Sequence, residues 1–318
     1  MSGPDAAIPH FKVDVAAPDI GCWLPGNTGV RGFTTAVGRE RGPHVMLVAL
    51  MHGNELGGAI TLDRMLARGL QPRRGRLTVG FANPAAYARF DPVQPTASRF
   101  IDEDLNRVWD PAVLDGPRTS IELQRARAIR PLVDTADVVL DLHSMLWPSD
   151  PLTLSGSSIR GRRFACALGT PGLVVADRGH QTGPRLIDYP RFSADGSNAV
   201  AGLVEAGQHW QAQTVAVMEA AVDALLRHTG LSDGPPPQPA PRCAEVTLAV
   251  TATTASFAFL QPFRGGDVVP RRNTLIALDG TTEIRTPHDD CLLIMPSLRA
   301  SRGHTAVRLA RFLELETT

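Results

Sequence analysis

The tetrapeptide His52-Gly-Asn-Glu55 offers an imidazole nitrogen and a carboxylate oxygen three positions apart, directly after the apolar run Val45 to Met51. A buried strand that breaks into a Gly-Asn turn could aim both side chains at one cation. Catalytic zinc takes His nitrogen and carboxylate oxygen, usually from three protein ligands with one position left to water. Short His-x-x-Glu pairs also occur on solvated surfaces, so this pair needs a third ligand before it means anything.

His143 is the candidate. It lies in Asp141-Leu-His-Ser144, which closes the run Asp137-Val-Val-Leu140, so a second histidine falls at the end of a second expected strand. In open α/β sheets ligands bind outside the carboxyl ends of the strands, where His52 and His143 would both sit. Residues two apart on a strand share a face, so Asp141 could support His143 as a hydrogen-bond acceptor, or could simply end the strand. Glu205, in Leu203-Val-Glu-Ala-Gly207, ends a further apolar run. A metal-activated water needs a base to take its proton and pass it to the leaving group, and Glu205 is placed for that work. The plain alternative is a helix-start acid or a salt-bridge partner. Between strand and helix runs the polar stretch Ser98 to Trp109, with Arg99, Asn106, Arg107 and three carboxylates. Its arginines could grip a substrate carboxylate or polarise a carbonyl, or pair with Asp102, Glu103 and Asp104 in a solvated loop.

The elements that must position these residues follow from the apolar pattern. From about Phe33 to Thr229, short apolar runs alternate with longer amphipathic stretches, as in an α/β sheet with crossover helices. His44 to Leu50, Leu77 to Ala82, Val138 to Leu142, Leu173 to Ala176 and Val200 to Glu205 read as strands. Glu55 to Arg68, Thr119 to Val133 and Gln211 to His228 read as helices, the last with Val215, Met218, Val222, Leu225 and Leu226 at helical spacing. The Pro-rich segment Gly234 to Pro241 can be neither helix nor central strand and reads as a linker. Beyond it, short alternating runs such as Val246 to Val250 and Thr274 to Leu278 indicate a small β domain. The expected organisation is a catalytic α/β domain over 1–233, with an irregular or edge-strand entrance over 1–40, a linker at 234–241 and a small β domain over 242–318.

Composition removes whole classes of function. The 318 residues suffice for a large core, and 32 basic against 32 acidic side chains create no field that would gather nucleic acid or anionic lipid. No apolar run is long enough to span a bilayer, and Met1 to His10 lacks the pattern of a secretory signal. Cys22, Cys166, Cys243 and Cys291 form neither a CxxC pair nor a dense framework, which suits a reducing cytoplasm. The partners expected are therefore a small molecule, with no nucleic acid and no membrane, and a homo-oligomer left open.

Taken in order, His52-Gly-Asn-Glu55, Asp104-Leu-Asn-Arg107, Asp141-Leu-His143 and Val204-Glu-Ala-Gly207 resemble the motif series of the succinylglutamate desuccinylase and aspartoacylase family, a branch of the zinc carboxypeptidase superfamily. The resemblance covers roughly His44 to Gly207. It implies a mixed central sheet flanked by helices, with a small C-terminal β domain. It also implies one zinc ion per chain on His52, Glu55 and His143, with Glu205 as general base. Arg99 would lie near the scissile carbonyl, and Asn106 and Arg107 on the carboxylate of the amino-acid product. The family reaction is hydrolysis of a small N-acyl amino acid by metal-activated water.

Departures bear on the substrate. Ser144-Met-Leu-Trp-Pro-Ser-Asp-Pro151, after His143, matches neither named family enzyme, and Met145, Leu146 and Trp147 suggest an apolar wall for an acyl group less charged than succinate. The Gly-rich stretch Asp177 to Arg191 could form a lid, with Arg185 as substrate contact and His180, Tyr189 and Arg191 as further candidates. His209 has the same open status. Two other readings compete: a metallocarboxypeptidase acting on short peptides, and a non-catalytic zinc-stabilised binding protein. His288, Asp289, Asp290 and His304 sit in turn-like segments and are given no role.

Overall fold

Val45, Met46, Leu47, Val48 and Ala49 have no exposed surface, as a strand covered on both faces requires. In the computed structural model, which describes residues 11–179, 182–233 and 239–314, they form the second of fourteen strands. In chain order these are β1 (Phe33–Val37), β2 (Glu40–Ala49), β3 (Arg74–Phe81), β4 (Val138–Met145), β5 (Leu152–Leu154), β6 (Leu173–Ala176), β7 (Val200–Gln208), β8 (Arg242–Thr251), β9 (Phe257–Phe259), β10 (Val268–Val269), β11 (Leu275–Asp279), β12 (Thr282–Arg285), β13 (Cys291–Ile294) and β14 (Thr305–Leu313). Eleven make one mixed sheet in the order β1-β3-β2-β4-β7-β5-β6-β8-β14-β13-β10, and β12-β11-β9 make a separate antiparallel sheet. The expected mixed sheet flanked by helices is present.

Alternation along β2 divides the core. Val45, Leu47 and Ala49 pack with Leu56 and Leu62 of helix Leu56–Ala67 and with Met218 and Leu225 of helix Ala212–His228. Met46 and Val48 face the other way, into a core shared with Leu123, Ala126 and Ile129 of helix Ile121–Val133. The parallel group β3-β2-β4-β7 therefore has helices on both sides, and all its carboxyl ends reach one edge. Register completes the alignment: Ala49 pairs with Leu142, and His143 with Glu205.

The expected strands and helices of the first two hundred residues fall where the apolar runs placed them. Among the strands and longer helices, β5 and the helix Ile159–Leu168 were not expected, nor, in the C-terminal region, were β10, β12 and β14. β5 is only three residues long, and the helix contains a glycine and three arginines, so neither shows a clear apolar period. After the Pro-rich segment, of which residues 234–238 lie outside the described residues, the chain does two things. β8 pairs parallel with β6 and brings β14, β13 and β10 into the main sheet, while β9, β11 and β12 stand apart over a small core of their own.

Candidate active site

The turn after β2 is shaped by contact with the chain that carries Arg99. Gly53 N–H donates to Arg99 O at 3.0 Å, and a Cβ on Gly53 would stand 2.5 Å from Ser98 O and from the Tyr87 amide. Only glycine allows that approach. The turn then enters the helix Leu56–Ala67 with Glu55 at its N-cap, so the Glu55 carboxylate is free to face the site rather than cap the helix.

His52 Nδ1 lies 2.7 Å from Glu55 Oε1, and His143 Nδ1 lies 3.2 Å from Glu55 Oε2. The three ligand atoms fall within 4.8 Å of one another, and all three residues are buried. Among the described residues this is the group of His, Cys, Asp or Glu side chains that could hold a metal ion. Both outer imidazole nitrogens are engaged. His52 Nε2 meets Asp104 Oδ1 at 2.9 Å, and His143 Nε2 meets Asp141 Oδ2 at 2.8 Å. A carboxylate behind each ring fixes its orientation and leaves Nδ1 facing inward, as metal-binding histidines require. Burial opposes ionisation of Glu55, yet the two histidines outweigh it and hold the carboxyl well below its usual range. Burial likewise disfavours charge on His143, but Asp141 and Glu55 raise it well above the ordinary imidazole value.

The loop from Ser98 to Arg107 is tied down by a residue with no local sequence signal of its own. Glu122, fully buried in the first turn of helix Ile121–Val133, accepts from Asn83 Nδ2 (3.0 Å) and from the backbone N–H groups of Ile101 (2.7 Å), Asp102 (3.0 Å) and Glu103 (3.2 Å). Asp102 returns the favour by accepting from Ile121 N at 2.8 Å. Held in this way, Arg99 reaches Asp104 Oδ2 at 3.1 Å and Glu55 Oε1 at 3.6 Å. Asn106 Oδ1 accepts from Leu186 N at 2.8 Å, and its amide nitrogen is 3.4 Å from His143 Nε2.

Glu205 stands beside His143 on β7. Its Oε2 is buried with no hydrogen-bond partner among the described residues. Burial pushes its carboxyl up to about 8; His143 opposes the rise, Glu55 adds to it, and Arg99 and Arg308 oppose it. Just beyond, the register slips by one residue, from His143/Glu205 to Met145/Gln208. Gly207, with φ 124°, takes up that bulge, a conformation that side chains resist.

These residues line a cavity of about 260 Å³. Four of the lining side chains are arginines. Arg107 is lowered to about 10, chiefly by burial, with Arg99, Arg185 and Arg308 nearby and Asp104 only partly compensating. Arg308 comes from β14, far along the chain, and its Nε is 3.1 Å from Asp177 Oδ2. Arg185 lines the cavity, but its guanidinium is bound to Asp177 (3.0 Å) and Asp188 (2.7 Å). Met145, Leu146 and Trp147 line it too, with Ser144 and His209.

Of the remaining candidates, Tyr189 donates to Asp134 and accepts from Arg130, and Arg191 donates to Ala136 O; neither lines the cavity. His180 lies outside the described residues. Asp104, Glu122 and Arg308 are the functional residues that sequence reasoning passed over. Asp104 was weighed only as a partner for arginines, and Arg308 had one faint signal, a charge inside the apolar run Ala306-Val-Arg-Leu-Ala310.

Comparison with known proteins agrees with this geometry. Residues 41–229, more than half of the chain, match the model of the succinylglutamate desuccinylase/aspartoacylase catalytic domain. The aspartoacylase of Rattus norvegicus is 32% identical over 123 residues, covering 35% of this chain and 37% of that protein, and the Mus musculus aspartoacylase is 31% identical over the same length. The chain thus spans little more than a third of the length of the curated relatives it matches. Among solved structures, a succinylglutamate desuccinylase from Vibrio parahaemolyticus shares the fold with a TM-score of 0.69 at 15% identity, over 89% of this chain and 87% of that one. A succinylglutamate desuccinylase/aspartoacylase from Rhodobacter sphaeroides does so at 0.66 and 20% identity, over 89% of each chain. The product-bound ectoine utilization protein from Ruegeria pomeroyi follows at 0.62 and 18%, over 87% of this chain and 88% of that one.

Proposed function

The chain belongs to the succinylglutamate desuccinylase/aspartoacylase family, and on that premise we propose that it is a zinc-dependent amidohydrolase cleaving the linear amide of small N-acyl amino acids. The observation that supports this most is a pairing. Two imidazole nitrogens and a carboxylate oxygen converge within 4.8 Å, and Glu205, whose Oε2 is buried with no partner among the described residues, stands in register beside His143. A neutral-nitrogen and carboxylate donor set in a buried pocket suits one zinc ion per chain, held by His52, Glu55 and His143. When bound, zinc supplies a Lewis acid that acidifies water and polarises the scissile carbonyl.

The protein's own groups do the rest. Glu205 accepts the proton of the attacking water at Oε2 and returns it to the departing amine nitrogen, a task suited to a carboxyl held near neutrality. Arg99, beside Glu55, stabilises the charge that grows on the carbonyl oxygen. Asn106 and Arg107 hold the amino-acid carboxylate, with the buried Arg185 and Arg308 adding positive potential there. Met295, Pro296, Ser297 and Arg308 also line the cavity, and its volume of about 260 Å³ favours a small substrate over the peptide of a carboxypeptidase. Retention of Glu205 favours turnover over a binding protein. The test is a panel of N-acyl amino acids beside short peptides, run with wild type and Glu205→Gln. N-acyl amino acid hydrolysis that drops on the order of a hundredfold to ten-thousandfold in the variant is expected. Exclusive peptide cleavage, or normal turnover by the variant, would overturn the assignment.

A further inference from the structure

Ser144 and His209 form a pair that the reaction described above does not use. Ser144 Oγ lies 2.7 Å from His209 Nδ1, both residues are buried, and both line the cavity. The Ser144 amide donates to Glu55 Oε2 at 3.0 Å, so the pair sits against the metal-ligand cluster. His209 is fixed from two further directions: its backbone N–H donates to Met145 O at 2.9 Å, and its ring packs edge-on at 5.2 Å against Trp210, whose Nε1 donates to Asn54 O at 3.0 Å.

Among the described residues, Ser144 Oγ is the polar group within reach of Nδ1, and in the arrangement where the hydroxyl donates to Nδ1 the imidazole proton resides on Nε2. Nε2 has no partner among the described residues and is not sealed from the cavity. Burial, aided by Arg99, His52 and His143 against the pull of Glu55, lowers His209 to about 4, so the ring stays neutral. The cavity wall can therefore present the uncharged His209 N–H beside Met145, Leu146 and the indole of Trp147.

The chemistry of that wall excludes two kinds of acyl group. A carboxylate there would be buried beside a guanidinium that is already engaged: Arg99, the arginine whose charge acts on His209, is paired with Asp104 and Glu55. A plain alkyl chain would strip water from the N–H and leave it unpaired. We propose that His209, oriented by Ser144, is a specificity-determining residue that donates from Nε2 to an uncharged oxygen of the acyl chain, so that the preferred substrates are N-acyl amino acids whose acyl group carries a hydroxyl or keto oxygen. The proposal rests on the deacylase reading and adds the acyl class to it.

The experiment compares lactoyl, propanoyl and succinyl derivatives of the same amino acids, using zinc-loaded wild type, His209→Phe, His209→Gln and Ser144→Ala. Wild type should favour lactoyl over propanoyl and over succinyl by roughly tenfold to a hundredfold in kcat/KM, since sites built to bond a substrate hydroxyl reject its deoxy analogue strongly. In His209→Phe the lactoyl to propanoyl ratio should fall to about one, mainly through KM, with zinc content unchanged. His209→Gln, which keeps a donor, should retain part of the ratio, and Ser144→Ala, which frees the tautomer, should lose part of it; these two carry the test if the Phe variant does not fold. A wild-type preference for propanoyl or succinyl, or a ratio unmoved by all three substitutions, overturns the specificity role while leaving the deacylase reading intact. Hydrolysis of none of the three series by wild type overturns both.

Discussion

Glu122→Gln probes the residue on which the active-site loop hangs. The side chain is fully buried and accepts four hydrogen bonds, two at each oxygen, from Asn83 and Ile101 on one side and from Asp102 and Glu103 on the other. Glutamine has nearly the same shape but one acceptor oxygen. Whichever way the amide turns, its NH2 group meets two N–H donors, so two of the four bonds are lost and two donors are left facing a third. At about 1 kcal/mol for each hydrogen bond lost, the folded state should weaken by about 2 kcal/mol. The effect would reach the proposed zinc ligands through the backbone: Asp102 and Glu103 adjoin Asp104, which lies 2.9 Å from His52. Loosening such a partner typically lowers metal affinity or activity by about 10-fold to 100-fold. Urea unfolding gives the first quantity, and chelator competition for zinc gives the second. A variant with wild-type zinc affinity and wild-type kcat would refute the reasoning, because the loop would then hold its place without the carboxylate.

Two other expectations follow from the same geometry. Glu205 has an ordinary value near 4.5 and is raised to about 8 by burial in the metal-free fold. Between those values the unfolded chain releases the proton and the folded chain keeps it, so the metal-free protein should lose stability as pH rises through that window. Glu205→Gln removes the penalty: its Tm should match wild type near pH 4.5 and exceed it at pH 8, and a gap independent of pH in thermal scans would contradict this. Gly53→Ala would drive a Cβ to 2.5 Å from Ser98 O and should destabilise by about 1–3 kcal/mol. An unchanged urea midpoint would show that the turn and the Arg99 loop can part freely.

How much of this was legible in the sequence depends on the range of the interaction. His52 and Glu55 are three residues apart after an apolar strand, and His143 and Glu205 each end a strand, so local pattern plus the rule for α/β sheets places all four at one edge. The register of His143 with Glu205 is a tertiary fact that no periodicity encodes. Asp104 acts across 52 residues on His52, and Ser144 across 65 on His209; such pairings leave no local trace. Arg185 shows a different limit: its Gly-rich stretch marks it as a candidate contact but carries no sign that the fold buries it against Asp177 and Asp188 while it lines the cavity. The β region after the Pro-rich segment looked separable because composition changes there, yet backbone pairing of β6 with β8 carries the sheet through, and β14 delivers Arg308 to the cavity.

The most direct test of the central claim is zinc-dependent turnover. Chelator-stripped protein, assayed on N-acyl amino acids, should be inactive, and activity should return in proportion to added zinc, saturating at one equivalent per chain. Substituting His52 or His143 by alanine should abolish that recovery. Full turnover by the stripped protein, or saturation with zinc and no hydrolysis of any N-acyl amino acid, would contradict the account.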